Sequence, residues 1–503
     1  MNSNLHYFQE PQLKFAYGQT TEDSRDGLTL FGPFQKAQGM MRVGVVSTQA
    51  GLLNYNFFVN KINRPIFSKS LGRPFFPGFT SVFGLEWPKN PSASLLIDES
   101  SIEKLVNEEN LKKRTYGLVS LYLNSITTYI DNEETPIDIW FIVIPYQVWL
   151  KCRPKSPTKQ TEFSKKSIKD TQRGMLSLFK NDVLKEFVKM LEYDSDFHDQ
   201  LKARAIFCKI QSPIQIALES TLLFKVKDGS DDYSTEMQAH LAWTQSSAVF
   251  YKLGYLPWKL DSIRSGVCYV GLVFKKLQDN SQKKGFACSA AQMFLDSGDG
   301  TVFRGNIGPW MSQDEKTFHL DRKSARSLLD IALTSYKANH GDYPKELFIH
   351  GKAAFNEEEW AGFLDAKSVS TETKLVGVVI NQTDKFRLFK NSSDSENNYG
   401  IMRGMGLVIN ATTGYLWTRG FIPKTMTSNH MEVANPLRIT VAKGQCDIYT
   451  VMRDILCLTK LNYNACIYGD GIPVTLRFSD KIGNILTAIP NVNWAAKQFK
   501  YYI

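Results

Sequence analysis

Long apolar runs are missing from this 503-residue chain. A membrane-crossing helix needs about 18 apolar residues in a row, so no span is expected. The first residues, MNSNLHYFQEPQLKF, hold neither a basic start nor an apolar stretch, and a secretory leader is not expected. Cysteines are few. There are seven, an odd number, and no CxxC pair occurs among them, which argues against a disulfide framework and a zinc knuckle. Several lie within apolar runs such as GVCYVGLVF, as small buried hydrophobes do. These absences point to a reducing, cytoplasmic setting. Internal repeats, heptads and long low-complexity tracts are also missing, and NSSDSENN (391–398) is only a short polar loop.

What is present is ordinary globular material, 43% hydrophobic and 22% charged. At roughly 150 residues per domain the length allows two or three domains. Lys and Arg number 60 against 50 Asp and Glu, a moderate excess compatible with a polyanionic partner. Residues 151–190 concentrate it, with eleven Lys/Arg and four Asp/Glu. That stretch reads either as a binding patch or as a solvated surface insertion.

The pattern along the chain predicts an α/β protein. Residues 1–40 are rich in turn formers and read as an extended lead-in. RVGVVST (42–48) and IDIWFIVIP (137–145) are buried strands by their β-branched runs. A helix is expected over 181–206, a strand over STLLFKVK (220–227), and a helix from 240 that ends near Gly254, ahead of Pro257. Strands alternating with helices imply a parallel, Rossmann-like layer. From about residue 262 the order changes. VCYVGLVFKK (267–276) and two strands within 285–306, around a Ser-Gly-Asp-Gly turn, make a meander. A helix (321–341), a strand (345–355), a short helix (356–366) and a strand (374–381) follow. Strands are then expected at 404–410 and 414–421, and helices near 447–460 and 474–488. The order β-β-β-α-β-α-β is that of an RNase-H-like core.

An RNase-H-type nuclease holds two divalent metals about 4 Å apart on a cluster of carboxylates, because hard cations need oxygen ligands. One Asp belongs in the first strand and another at the end of the fourth. Here the first position is Val273, in YVGLV, and the second is Lys352, in FIHGK. Valine offers no ligand, and lysine adds a charge that opposes a metal. Asp480, in RFSDKIGNIL, remains, but one carboxylate cannot hold two metals. No catalytic residue is therefore expected.

At these residues the chain resembles the PIWI domain of the Argonaute family. YVGLVF is similar to its first strand, FIHGKAAFNEEE to the segment that ordinarily holds Arg-Asp-Gly, and LNYNACIYGDGIPVTLRFSDKI to its C-terminal signature. YKLGYLPWKL (251–260) resembles the junction between the MID and PIWI domains of prokaryotic Argonautes, and RDGLTLFGPF (25–34) the segment ahead of MID. The resemblance implies a Rossmann-like MID domain at 1–260, with the lead-in, and an inactive RNase-H-like PIWI domain at 261–503. The length leaves no room for N-terminal and PAZ domains. It therefore implies a short prokaryotic Argonaute, most similar to those of the SPARTA type, whose partner is a TIR-APAZ protein; a sirtuin-like or nuclease partner is the alternative. Such a protein would bind a 5′-phosphorylated guide RNA and recognise complementary single-stranded DNA. Its heterodimeric partner would then degrade NAD after assembly into a higher oligomer, as a defence against plasmids or phages.

The resemblance also implies a guide pocket. Its pattern falls on His198 and Lys202, one helical turn apart in FHDQLKARAI, then Gln215 and Lys252. His198 would stack on the first base, and the lysines would hold the 5′-phosphate as point charges. Gln211 competes with Gln215, and Arg204 is an alternative cation. The terminal carboxylate of Ile503 would help hold a structural Mg²⁺ against that phosphate. Arg403, Arg419 and Lys424, near strand ends, are candidates for the nucleic-acid channel. Two other readings stay open. One is a nuclease with ligands from His350, Asp480 and an acid among Glu357–Glu359; the other is a guide-free nucleic-acid binder.

Overall fold

The computed structural model describes residues 4–133, 135–154, 190, 193–208, 210–276, 287–295, 300–308, 318–368, 370, 372–389, 400–425, 433–489 and 497–503. The basic stretch over 155–189, the Ser-Gly-Asp-Gly turn and the 391–398 loop lie outside them. No helix among the described residues is long and apolar enough to cross a membrane.

The N-terminal unit is built on four parallel strands in the order Ala93–Leu96, Val43–Ser47, Ile139–Ile144, Ile214–Leu218. The two central strands are buried along their whole length, as parallel strands covered by helices on both faces must be. Gly44 is required there: a Cβ would stand 2.3 Å from the Trp140 ring of the neighbouring strand. The expected strand over 220–227 is not formed. Residues Glu219–Leu222 make a helical turn that packs on helix Gln49–Ile62, with Leu222 and Phe224 buried. The fourth strand is Ile214–Leu218 instead, started by Pro213 and paired with Ile139–Ile144. The described part of the helix expected over 181–206 is Phe197–Phe207, opened by Asp196, whose side chain accepts from the Asp199 amide. The helix expected from 240 begins earlier, at Thr235, and ends at Lys252.

The C-terminal unit is a ten-stranded sheet whose middle holds strands Lys374–Gln382, Glu346–Gly351, Val267–Lys276 and Ala287–Leu295. The first three run parallel, and the meander over 267–308 is antiparallel, as the element order predicts. Helices Arg322–His340 and Glu357–Lys367 cover one face, and Ile448–Leu458 and Ser479–Thr487 belong to the core of the other. Gly271 lets the turn at Val474–Arg477 lie directly on the first strand; a Cβ there would meet the Thr475 carbonyl oxygen at 1.9 Å.

The lead-in is more than an extended segment. Leu5–Tyr7 forms the edge strand of the C-terminal sheet, paired with Met405–Asn410. Leu13–Lys14 pairs with Lys259–Leu260, and Ser24–Phe31 is a helix. The first residues thus pack with the unit after 261, and the two units share one apolar core that runs from Val43 and Trp243 to Tyr269 and Leu486.

Candidate nucleic-acid interface

Four sequence-predicted residues, Lys202, Gln215, Lys252 and Ile503, meet at one point, between the N-terminal sheet and the end of the chain. Helix Phe197–Phe207 projects Lys202 inward, where its side-chain nitrogen donates to the Ile214 carbonyl at 2.7 Å and to the main-chain oxygen of Ile503 at 2.8 Å. Lys252, the last residue of its helix, donates to the Gln215 side-chain oxygen and, at 3.4 Å, to the same Ile214 carbonyl. Both lysines are 2% exposed, and Ile503 is equally buried. The tail is fixed by Tyr501, whose hydroxyl donates to the Gln211 carbonyl at 2.6 Å, and by a short strand, Lys497–Gln498, paired with Gly300–Gly308. Gln211 itself faces outward and meets the tail through its backbone, whereas the Gln215 side chain meets Lys252. Arg204 lies instead over the Tyr116 ring.

The charges of this pocket are out of balance. Burial, with the neighbouring ammonium groups of Lys252 and Lys481, drives Lys202 well below its ordinary range. Burial and Lys481 bring Lys252 down to about 7, and burial lowers Lys481 too. His198 stands at the rim with its side chain 36% exposed, its Nδ1 2.9 Å from an Asp199 oxygen. Its imidazole is held well below its ordinary range by burial and by Lys481, Lys202 and Lys252. Behind it, burial raises both Asp196 and Asp199, and the Asp199 carboxylate raises Asp196 further. A group of cations that depress one another in a dry site is stabilised by an incoming anion.

The donor set does not by itself fit a Mg²⁺. The Ile503 main-chain oxygen accepts from Lys202 and the Gln215 oxygen accepts from Lys252, so each is committed to a lysine. A hard cation wants several free oxygens instead. Asp196, His198 and Asp199 have ligand atoms within 4.8 Å of one another, but Asp196 caps a helix and His198 engages Asp199.

A cleft of about 280 Å³ opens at the ends of the parallel strands, lined by Leu272, Phe274, Lys352, Glu359 and Asp480 among others. Val273 sits in the first strand opposite Ala290. The Lys352 ammonium lies 3.6 Å from the Asp480 carboxylate, both at the surface. His350 is turned into the sheet, where Nδ1 pairs with the Thr475 hydroxyl at 2.9 Å and burial lowers it to about 3. Glu357 is exposed and paired with Lys443. Glu359 lines the cleft, but burial raises it to about 7 and it accepts from the Leu320 amide. The ligands named for an unorthodox metal site thus point in different directions.

Of the three channel candidates, Arg403 is 3% exposed and bound to Glu10, to Thr459 and to the carbonyls of Thr418 and Asp470. It braces the lead-in against the C-terminal unit rather than lining a channel. Its sequence looked like any strand-end cation because Glu10 is 393 residues away. Lys424 bonds Asp26 of the lead-in helix at 2.8 Å. Arg419 is exposed, folded over Gly471. Sequence reasoning missed Lys481, whose neighbour Asp480 was noticed, and Lys460, a buried cation bound to Glu10. For Lys481 the signal was a lysine inside the C-terminal signature, one helical residue past an acid.

No family model and no curated relative matches the sequence. Solved structures do. The chain is similar to Clostridium butyricum Argonaute bound to a guide DNA and a 19-mer target DNA, with a TM-score of 0.64 and 14% identity over 99% of this chain and 54% of that one. It is similar to Drosophila Piwi, with a TM-score of 0.59 and 12% identity over 99% and 56%. It is also similar to Aquifex aeolicus Argonaute, with a TM-score of 0.55 and 14% identity over 100% and 57%. The chain thus spans little more than half the length of each. Its α/β architecture, a Rossmann-like layer followed by an RNase-H-like sheet, is the MID–PIWI fold of Argonaute and Piwi proteins.

Proposed function

We propose that this chain is a guide-directed recognition module that holds a 5′-phosphorylated RNA and tests complementary single-stranded DNA without cutting it. The observation that carries the reading is the pair of buried lysines, Lys202 and Lys252, joined through Ile214, with Lys481 close by and the Ile503 main-chain oxygen accepting from Lys202. A terminal phosphate dianion would supply the missing negative charge, and lysines bind it as point charges. His198 at the rim would face the first base.

Non-cleavage is supported by the cleft, where an ammonium stands at Lys352 and valine at 273. A chain that recognises but does not cut needs an effector. We assign that role to a TIR-APAZ partner that degrades NAD, bound as a heterodimer and assembling further on target binding, in the cytoplasm. Arg419 remains the exposed channel candidate.

The test is to purify the chain from its own operon and identify what travels with it. Short RNA that accepts a 5′ label only after phosphatase treatment, together with a TIR-containing protein, is the expected result. Nucleic acid with mixed 5′ ends, or none, would overturn the guide reading. Cutting of complementary DNA in Mg²⁺ or Mn²⁺ would overturn the recognition-only reading.

A further inference from the structure

Residues 27–85 hold six Lys or Arg and no Asp or Glu. Three of those cations, Arg64, Lys69 and Arg73, are exposed on or beside one antiparallel hairpin, Ile66–Lys69 with Pro74–Phe76. None of the three makes an ion pair among the described residues, although Glu236 on the helix below lies near enough to feel Arg73. The same hairpin carries Phe67 at 75% exposure, Leu71 at 65% and Phe75 at 39%. The rings of Phe67 and Phe75 are stacked, with centroids 6.4 Å apart and planes 16° from parallel. Aromatic rings left in water at this level call for an explanation.

The hairpin is rigidly mounted. Phe76 is fully buried and meets the Trp243 ring edge-on. The Trp243 indole donates to the Phe75 carbonyl at 3.1 Å, and the buried Arg25 guanidinium donates to the Gly72 carbonyl at 2.7 Å. Trp243 belongs to helix Thr235–Lys252, whose last residue stands in the lysine pocket. Nine residues separate them, a rise of about 14 Å along the helix, so the hairpin and the pocket are fixed relative to each other by one element.

We infer that this hairpin is a second nucleic-acid contact, a stacking platform for an unpaired base of a single strand, with Arg64, Lys69 and Arg73 on its phosphates. Single-strand sites combine aromatic faces with a positive surface. Rings and arginines also occur at protein interfaces, but a 59-residue run with no Asp or Glu around these rings favours a polyanion over a protein surface of mixed charge. The inference rests on the proposed guide-binding function, which places nucleic acid on this unit.

The test uses the full chain and a polyuridine RNA in 5′-hydroxyl and 5′-phosphate forms, measured by fluorescence anisotropy across a salt series. Phe67→Ala weakens both forms by on the order of tenfold. The triple change Arg64→Ala, Lys69→Ala, Arg73→Ala lowers the slope of log affinity against log salt by about 2. In both variants the ratio between the two end chemistries stays that of the parent chain. These residues are exposed, and an unchanged thermal midpoint verifies the fold. Parent-like affinity and slope in both variants overturn the inference. Unchanged RNA binding with loss of a co-purifying protein also overturns it and assigns the hairpin to a protein interface. A parent chain that does not distinguish the two RNA ends sinks the guide pocket, and the effect of the hairpin variants is then read separately.

Discussion

Lys202 and Ile503 are 301 residues apart in sequence, and the side-chain nitrogen of the first donates to the main-chain oxygen of the second at 2.8 Å. Ile503 is thereby tied to the N-terminal unit, while Lys497–Gln498 pairs with the C-terminal sheet. Lys202→Met leaves the buried Ile214 and Ile503 oxygens without their donor. A buried acceptor left unsatisfied costs about 1–3 kcal/mol. Urea unfolding of the variant is expected to show a loss of that order, and a midpoint equal to the parent's would mean that these bonds contribute nothing.

The pocket has a pH signature. With Lys252 brought down to about 7, the free protein sheds that proton as pH rises past neutrality. A phosphate dianion favours the ammonium, so binding takes the proton back up and weakens as pH rises above 7. Proton uptake by Lys252 alone changes the affinity by at most about tenfold per pH unit. Below about pH 6 the phosphate itself protonates and binding weakens again. Affinity for 5′-phosphorylated RNA should therefore peak near neutrality, and Lys252→Met should flatten the alkaline limb. An alkaline limb unchanged in that variant would remove Lys252 from the phosphate.

The lead-in is locked by a buried triad. Glu10 accepts from Arg403 at 2.9 Å and from Lys460 at 2.5 Å. Burial works against its charge, but Arg403 and Lys460 hold its carboxyl below the usual range. A depressed carboxyl contributes stability above its unfolded value and loses it as pH falls through the folded one. Glu10→Gln leaves two buried cations and should cost about 3–5 kcal/mol, with a shallower loss of stability on acidification than in the parent. Arg403→Ala should show as a stability defect, not as a uniform loss of nucleic-acid affinity.

Gly271 admits the Thr475 turn. A methyl there meets a backbone oxygen, which cannot swing aside, so Gly271→Ala must displace strand or turn. The expected loss is about 1–3 kcal/mol or more, read by chemical unfolding, and the His350–Thr475 bond should loosen with it. A neutral substitution would mean that the turn moves freely.

Much of this was legible in sequence because it is local. The runs RVGVV and IDIWFIVI announced two central strands, and the meander after residue 267 carried its own alternation. The i,i+4 spacing of His198 and Lys202 placed them on one helix face, although only Lys202 turns fully inward. What stayed hidden depends on distant contacts. STLLFKVK has the composition of a strand, but the sheet position is taken by Ile214–Leu218, and packing against helix Gln49–Ile62 turns Glu219–Leu222 into a helical turn. Leu5–Tyr7 is a strand only because Met405–Asn410 offers it an edge. Arg403 could not be separated from a channel cation without seeing Glu10.

The central claim is that Lys202 and Lys252 read a 5′-phosphate. The most direct measurement is the affinity of the full chain for one RNA bearing either a 5′-phosphate or a 5′-hydroxyl, repeated with Lys202→Ala/Lys252→Ala. Two charge-assisted contacts predict that the parent prefers the phosphate by about 100-fold or more, and that the double variant treats the two ends alike. Equal affinities in the parent, or a preference that survives both substitutions, would contradict the account.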